Sequence, residues 1–434
     1  MKTKASTTVP AASRLTAIWT LVGLILLTVN LRAAITGVAP VLSDLQESLR
    51  LSGVEVSVLT TLPVLCLGVF ASLAPVLARR VGPEAAITVA LVLITGGIVL
   101  RVVPAQTALF GGTVLAGAGI AMGNVLMPAM IKSAFPSRVG SLTGLMMMLM
   151  ASSGAIAAGL AVPLDNTGGW RMALAVWAVP SLIGALAWGP LAIRVRRDRR
   201  SATAEAAAER GAAGAEGSLL RSPLAWSVAG FMGLASLMFY VLMSWLPQIM
   251  RDHGVAAGEA GAMVSVMMLI GIPLGFATPV AAARMRRQGA LVIAVAATMV
   301  LGVGGLLVAP SAAWVWVAFL GLGTGSAFPL AITLLNLRSS SPMVAARLSG
   351  MAQTAGYLLA GVGPLAVGLL HDLTGGWTIS LGLLFVLIVP ELVLGLLASR
   401  PGFVRPSGTA VESEFERLIE SEATGPVREH AEAR

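Results

Sequence analysis

Charged side chains and cysteine are both scarce in this chain. Of its 434 residues, 11% are charged and 56% are hydrophobic, and the mean hydropathy is +0.87. Soluble domains contain about 25% charged residues, so this chain has too few to cover a surface that faces water. The single cysteine, Cys66, excludes a disulfide scaffold, a zinc site built from cysteines and a CxxC redox pair. The composition therefore indicates an integral membrane protein.

Lysine is also rare, and the common catalytic motifs are missing. The three lysines are Lys2, Lys4 and Lys132, and none of them follows a glycine. The sequence therefore has no GxxxxGK[ST] phosphate loop, which excludes a Walker-type ATPase and leaves gradients or a separate subunit as the energy source. It also has no HExxH, GxSxG or paired-aspartate motif and no sizeable segment outside its apolar runs, which argues against an intramembrane enzyme or a receptor. We expect neither a metal nor a cofactor.

Twelve stretches are long and apolar enough to cross a bilayer, which takes about 20 residues. They are 15–40, 54–78, 85–103, 107–131, 138–163, 170–193, 223–247, 259–283, 290–309, 312–336, 346–370 and 377–399. Because these runs are apolar all round, they predict helices rather than the alternating strands of a barrel. The first run is too long for a signal peptide, so we interpret it as an uncleaved helix.

Lysine and arginine are distributed unevenly among the joints between these runs. With the N-terminus placed in the cytoplasm, Arg32 lies inside a run and the outward loops hold few basic residues, namely Arg50, Arg101, Arg171 and Arg251. The other basic residues fall on the inner side, with clusters at 79–80, 194–200 and 284–287. Inner loops of membrane proteins carry an excess of lysine and arginine. This asymmetry predicts cytoplasmic termini, and it accounts for the net charge of +9 without a nucleic-acid partner.

The chain divides into two halves that resemble each other. We predict a cytoplasmic N-terminus, a six-helix half, a flexible cytoplasmic linker, a second six-helix half and a cytoplasmic tail, with boundaries 1–14, 15–193, 194–222, 223–400 and 401–434. The run DNTGGW at 165–170 matches DLTGGW at 372–377, and Lys132 matches Arg338, at a shared offset of 206 to 207 residues. Six spans per half make the repeat parallel. Transporters of this kind bind substrate between the halves near the midplane.

Several runs in the sequence are distinctive. They are VNLRAAITGVAP at 29–40, GNVLMP at 123–128, FY at 239–240 with WLP at 245–247, and LSGMAQTAGY at 348–357 with Gly363-Pro364. These runs resemble the cyanate / 2-nitroimidazole porter family of the major facilitator superfamily, and the resemblance extends over roughly residues 15–400. It implies an all-α fold of twelve transmembrane helices in two halves, a location in the bacterial inner membrane, and transport of small molecules such as cyanate or nitroimidazoles by alternating access.

One position departs from this resemblance. Where the family is expected to have Gly-Leu-Gln-Ser in helix seven, this chain has Gly-Leu-Ala-Ser at 233–236. The missing amide at Ala235 removes a polar partner for a cyanate-like substrate. The alternative function is an efflux porter for drugs or toxic aromatic compounds, which uses the same machinery. The Gly-Pro-x-x-Gly-Gly ending of helix five that marks many exporters is absent at 154–159, which favours uptake.

Arg32 is the most distinctive polar residue in the spans. It lies 13 residues beyond Trp19, hence about 20 Å along the helix at 1.5 Å per residue. A lone arginine at the centre of a membrane helix costs roughly 2.5–3.5 kcal/mol on insertion scales. We interpret Arg32 as a clamp for an anion or dipole in a central cavity, and the alternative is a side chain that extends outward to the interface. Asn30 lies about 200° around the helix from Arg32, so the two do not face one cavity in an undistorted helix.

Four other side chains are candidates for the substrate site, namely Asn124, Tyr240, Gln353 and Tyr357. Gln353 and Tyr357 are four residues apart and therefore share one face of helix eleven. Tyr240 lies deep in its span and can stack on a flat substrate. For Asn30, Asn124 and the pair on helix eleven, hydrogen bonding between helices is the alternative role.

Two further groups are predicted to act in the transport cycle. Glu391 in helix twelve is the one deep carboxylate, so it is the candidate carrier of a coupling proton. Twelfth helices of this fold are usually peripheral, so pairing with a neighbouring helix is its alternative role. The equivalent inner loops of the two halves carry Arg79, Arg80, Arg286 and Arg287. The resemblance implies that these loops latch the halves, with the cations at helix C-termini. We expect a monomer whose partners are a small solute and the lipid bilayer.

Overall fold

The computed structural model describes residues 11–201 and 218–404, and this part of the chain is almost entirely helical. Its fourteen α-helices are α1 Ala11–Thr36, α2 Leu42–Leu49, α3 Gly53–Ala71, α4 Leu73–Val81, α5 Pro83–Arg101, α6 Gln106–Ala134, α7 Val139–Ala175, α8 Ala178–Ser201, α9 Pro223–Asp252, α10 Ala257–Arg284, α11 Gly289–Val308, α12 Ala313–Arg338, α13 Pro342–Thr374 and α14 Thr378–Ala398. Helices α1 to α8 form the first half, and α9 to α14 form the second.

The twelve predicted spans are confirmed, although one is bent and two others run together into one long helical segment. Ten described helical segments are long and apolar enough to cross a membrane, and α3 and α4 form an eleventh crossing with a bend of 50°. The bend arises because Pro75 has no N–H to donate to the carbonyl of Ala71. The segment Pro136–Ile193 has 58 residues, enough for two crossings. Gly169 divides it with φ 73° and ψ 171°, a conformation that glycine adopts readily.

The helix ends differ in places from the predicted boundaries. Helix α1 begins at Ala11, before the predicted start at residue 15, and α8 continues past residue 193 to Ser201. The rest of the predicted N-terminus, linker and tail, at 1–10, 202–217 and 405–434, lies outside the described residues. The division into five regions therefore stays a prediction.

One end of the bundle is rich in exposed arginine. Helix α4 ends there just after Arg79 and Arg80, and the turn from α10 to α11 holds Arg286 and Arg287. All four side chains are exposed. We call this end the basic end and the opposite end the far end.

The apolar core is continuous between the halves at the basic end and divided at the far end. The largest buried cluster joins Met127 of the first half with Leu330 and Ala345 of the second. Towards the far end, a cluster around Trp170 belongs to the first half alone, and a cluster around Trp377 belongs to the second half alone. The buried apolar core therefore joins the two halves at the basic end, whereas each half has its own cluster towards the far end.

Within each half, glycine allows helices to approach closely. At Gly97 of α5, a Cβ atom would lie 2.4 Å from the backbone nitrogen of Ala116 and 2.6 Å from the carbonyl oxygen of Gly112, both on α6. Neighbouring Gly96 faces outward, and a Cβ there would meet only the end of Leu115, at 3.7 Å. Small residues at helix contacts are typical of membrane bundles, where close van der Waals packing drives association.

We predict that Gly97→Leu destabilises the protein while Gly96→Leu does not. The leucine at 97 would force α5 and α6 apart, and such overpacking typically costs about 1–3 kcal/mol. The leucine at 96 would extend into open space on the same helix turn. Thermal unfolding of the two purified variants in one detergent measures the difference. Equal midpoints would show that the close contact between α5 and α6 contributes nothing to stability.

Candidate functional site

Arg32 lies one turn before the end of α1 and points across to the second half. Its guanidinium carbon is 5.8 Å from the centre of the Phe239 ring on α9, a cation–π contact. The side chain is half-buried. Among the residues that the structure describes, no carboxylate pairs with Arg32 and no hydrogen bond satisfies its guanidinium. The group is therefore an unpaired cation between the halves.

A glycine on α7 fixes the position of Arg32. A Cβ atom at Gly154 would lie 2.7 Å from Cγ of Arg32, so α7 presses directly on the arginine stem. The Thr36 hydroxyl donates to the carbonyl of Gly154 at 2.9 Å and contacts that of Arg32 at 3.2 Å. These contacts hold the last turn of α1 against α7 and direct the guanidinium towards the second half.

Both tyrosines of the chain lie on second-half helices near Arg32. Tyr240 follows Phe239, the ring that contacts Arg32, on α9, and Tyr357 lies on α13, which packs against α9. The Tyr240 ring meets Phe239 edge to face at 5.4 Å. Helices α9 and α13 cross at Gly233 and Gly356, where a Cβ on Gly233 would be 3.1 Å from Cα of Gly356. This crossing sets Tyr357 beside α9, so α1, α9 and α13 together form one cluster.

Gln353 lies one turn of α13 closer to the basic end than Tyr357. Its Nε2 donates to the Ser349 hydroxyl at 2.7 Å. Its Oε1 is buried and has no partner in the described part of the chain. The side chain is 1% exposed, so it lies beneath the aromatic cluster rather than at an open surface.

The two predicted asparagines differ from each other in their surroundings. Asn30 is buried, and its Nδ2 donates to the carbonyl of Leu26 in its own helix at 2.6 Å. Asn124 on α6 is half-buried. It follows Gly123, whose position packs against Leu27 and Leu31 of α1. No described contact joins either amide to the Arg32 cluster, and their role in substrate binding stays a prediction.

Arg101 corrects the sequence interpretation, which placed it in an outward loop. It is the last residue of α5 and is 2% exposed. Its Nε donates to the Thr113 hydroxyl at 3.1 Å and its Nη1 to the carbonyl of Ala34 at 2.6 Å. The last carbonyls of a helix lack intrahelical partners, so a guanidinium can be buried against the end of α1. A charge count along the loops cannot detect such a partner, because it belongs to another helix.

The predicted gating arginines do not join the halves in this structure. Arg79, Arg80, Arg286 and Arg287 are exposed, and none has a described contact with a helix end of the other half. Their latch role stays a prediction. A different cation crosses the interface, because Nζ of Lys132 at the end of α6 donates to two carbonyls at the end of α12.

These two acceptors are the carbonyls of Asn336, at 2.6 Å, and Ser339. The sequence repeat pairs Lys132 with Arg338, but the two cations act differently. Arg338 stays within its own half, where it donates to the carbonyls of Ala398 at 2.9 Å and Ser399 at 3.0 Å. The side chain of Asn336 is buried beside this contact, and neither its nitrogen nor its oxygen has a described partner.

Two further close contacts between the halves lie on the basic side of the Arg32 cluster. A Cβ at Gly144 of α7 would be 2.7 Å from the carbonyl oxygen of Phe276 on α10. A Cβ at Gly350 of α13 would be 2.9 Å from Pro75 of α4. These contacts and the Lys132 bridge close the basic end.

Glu391 lies on α14, away from the Arg32 cluster. It is 2% exposed, and both of its carboxyl oxygens are buried without a partner among the described residues. A buried carboxylate without a partner is costly, so the neutral acid fits this position better. Its role as a proton carrier stays a prediction.

Two helical halves that repeat in sequence, with substrate bound between them, are an arrangement found in membrane transporters. The Major Facilitator Superfamily matches residues 24–364, and the chain belongs to this superfamily of multi-pass membrane transporters. The proton:xylose symporter XylE shares the fold, with a TM-score of 0.72, 12% sequence identity, and coverage of 93% of this chain and 99% of that one.

Several bacterial transporters are similar in sequence to this chain over most of its length. The 2-nitroimidazole transporter of Escherichia coli (strain K12) is 36% identical, covering 88% of this chain and 96% of that protein. The cyanate transport protein CynX of the same organism is 26% identical, covering 86% and 95%. The uncharacterized transporter YycB of Bacillus subtilis (strain 168) is 38% identical, covering 91% and 97%. The resemblance to the cyanate / 2-nitroimidazole porter family is therefore confirmed.

We predict that Gly154→Val weakens solute binding while Gly159→Val does not. The valine at 154 would displace the Arg32 stem, and losing a charge-assisted hydrogen bond to the solute costs about 1.5–3 kcal/mol. A Cβ at Gly159, on the same helix, meets nothing within 4 Å. The concentration dependence of 2-nitroimidazole and cyanate uptake into proteoliposomes gives KM for each variant. If KM were the same for both, the α7 contact would have no part in positioning Arg32.

Proposed function

We propose that this protein is a secondary active transporter that moves a small anionic or strongly dipolar solute across the bacterial inner membrane by alternating access. The observation that carries this proposal is the unpaired guanidinium of Arg32, which contacts a ring of the opposite half at 5.8 Å. The relatives named as 2-nitroimidazole and cyanate transporters support a small polar solute. On this proposal the protein works as a monomer, and its basic end and both termini face the cytoplasm, as the excess of arginine favours.

The chemistry of the cluster supports binding of an anion. A cation in a low-dielectric bundle interacts strongly with any counter-ion that reaches it. Since no described side chain supplies that counter-ion to Arg32, the solute is free to do so. The guanidinium also presents a planar fork of N–H donors, which matches a carboxylate-like or nitro group better than an ammonium does.

The position of the cluster supports alternating access. Arg32 belongs to the first half, whereas Phe239, Tyr240 and Tyr357 belong to the second. A solute that touches both sides stabilises the states in which the halves close around it, and this difference in affinity is what allows a ligand to shift a conformational equilibrium. Glu391 remains our candidate for the carrier of a coupling proton, because it is a buried carboxyl within a span and has no described partner.

We predict that Arg32→Ala lowers the affinity for the solute about 10- to 100-fold, as expected for loss of a charged hydrogen-bonding group. Arg32→Lys should restore little of it, because ammonium lacks the planar fork. Arg221→Ala, at an exposed position, is the matched loss of one positive charge. Uptake and binding of cyanate and 2-nitroimidazole by purified protein measure the effect. Wild-type affinity in a correctly inserted Arg32→Ala protein would refute the proposed clamp.

We also propose that the Lys132 bridge holds the basic end closed, whereas the buried amide of Asn336 opposes closure. A charged hydrogen bond contributes about 1.5–3 kcal/mol, and an unsatisfied buried polar group costs about 1–3 kcal/mol. Lys132→Met should therefore shift the protein towards opening at the basic end. Leucine is similar to asparagine in shape and has no polar atoms that need a partner, so Asn336→Leu should shift the protein towards closure at the basic end.

A disulfide between the halves measures this equilibrium. A Cβ at Gly275 would lie 3.7 Å from Cβ of Met147, within the range for a disulfide. In a Cys66→Ser background with Met147→Cys and Gly275→Cys, we expect slower disulfide formation for Lys132→Met and faster formation for Asn336→Leu. The exposed Arg79→Met and Arg286→Met are the controls. If these controls slowed the reaction and Lys132→Met did not, the arginine loops would be the latch and our account of Lys132 would be wrong.

A further inference from the structure

The surroundings of Arg32 are aromatic to an unusual degree for this chain. Only 5% of the residues are Phe, Trp or Tyr, and there are two tyrosines in 434 residues. Phe239 contacts this guanidinium. Tyr240 meets Phe239 edge to face, and Tyr357 follows the glycine at which α13 crosses α9. Tyrosines in membrane proteins commonly lie at the interface with water, and here they lie inside the bundle instead.

The contact between Arg32 and Phe239 is a cation–π contact, and none of the guanidinium N–H groups of Arg32 makes a hydrogen bond within the described part of the chain. The N–H donors of a guanidinium point outward in its plane, where they can meet an anionic group in bidentate geometry. An anion held there would lie next to the rings of Phe239, Tyr240 and Tyr357.

Two neighbouring positions offer little to a very small anion. Ala235 precedes Phe239 by one turn of α9, is 1% exposed and offers only a methyl group. The amide of Gln353 is bonded to Ser349 and buried below the rings. A three-atom anion would use the guanidinium and leave the aromatic faces without a partner, whereas a ring-bearing anion would use both.

We infer that the solute is a flat aromatic monoanion, with its carboxylate or similar group on Arg32 and its ring against Phe239 and the two tyrosines. This inference rests on the proposed function and specifies its substrate class. A single negative charge is favoured because the described cluster offers one unpaired cation, and a second buried charge would lack a partner. A flat ring is favoured because aromatic pairs gain stability beyond the area they bury.

Benzoate and cyclohexanecarboxylate form a matched pair of probes. Both carry one carboxylate on a six-membered ring, and only benzoate has a π face. Calorimetric titration of the purified full-length protein should give a benzoate affinity about 3- to 10-fold higher, as expected from aromatic stacking. This preference should fall towards one in Phe239→Leu, or in Tyr240→Leu if Phe239→Leu is unstable. Phe385→Leu, on the outer helix α14 against Gly304, should keep it.

The possible outcomes separate this inference from the proposed function. If both ring acids bind equally, or cyclohexanecarboxylate binds more tightly, the aromatic inference is overturned. If cyanate and acetate bind in an Arg32-dependent manner and neither ring acid binds, the inference fails and the proposed anion transport stands. If none of these anions binds wild-type protein, and Arg32→Ala leaves binding of neutral 2-nitroimidazole unchanged, both fail.

Discussion

The candidate site depends on one electrostatic constraint, which is a guanidinium held inside an apolar bundle with no counter-ion among the described side chains. Insertion scales give a cost of roughly 2.5–3.5 kcal/mol for such a group at helix centre. The surrounding residues do not neutralise that charge; they fix the position of the side chain that carries it. Gly154 presses on its stem, and Phe239 offers the face of a ring from the other half. On our proposal, the unpaired Arg32 guanidinium is available to a solute, and the two halves share the site.

The two halves repeat in sequence but not in the use of their cations. Lys132 and Arg338 occupy equivalent positions, yet Arg338 satisfies the end of α14 within its own half, and Lys132 crosses to the end of α12. A symmetric pair of bridges would hold the basic end closed from both sides. One bridge beside the unsatisfied amide of Asn336 gives a closed state in which opposing contributions of similar size nearly cancel. The proposed alternating access needs such a balance, because the basic end would then open in every cycle.

Much of the fold could be predicted from sequence because lipid imposes simple rules. Every span needs about 20 apolar residues and an internal hydrogen-bond ladder, so the twelve crossings follow from hydropathy alone. The bend at Pro75 and the break at Gly169 fall where proline and glycine permit them. The burial of Arg101 could not be predicted in this way, since its acceptors are Ala34 on α1 and Thr113 on α6. Partners on other helices appear only when the helices are packed together.

Contacts between helices also limit how much of the candidate site can be predicted from sequence. The spacing of Gln353 and Tyr357 correctly puts them on one helix face, but it cannot tell that Gln353 is buried below the rings. The inner loops predict a latch made of four arginines, and the structure shows these arginines exposed. Lys132 bridges the halves instead, and this contact cannot be predicted from sequence because it depends on how closely α12 approaches α6. Phe239 belongs to one of the distinctive sequence runs, but its contact with Arg32 follows only from the packing of the two halves.

The central claim is that a positive guanidinium at position 32 binds the solute. Chemical rescue tests it most directly, because Arg32→Ala leaves a space that free guanidinium can fill and that neutral urea, of the same shape, can also enter. Binding of the solute to Arg32→Ala should be restored by millimolar guanidinium and not by urea. Equal effects of the two additives, or no recovery with guanidinium in a protein that still unfolds cooperatively, would contradict the claim.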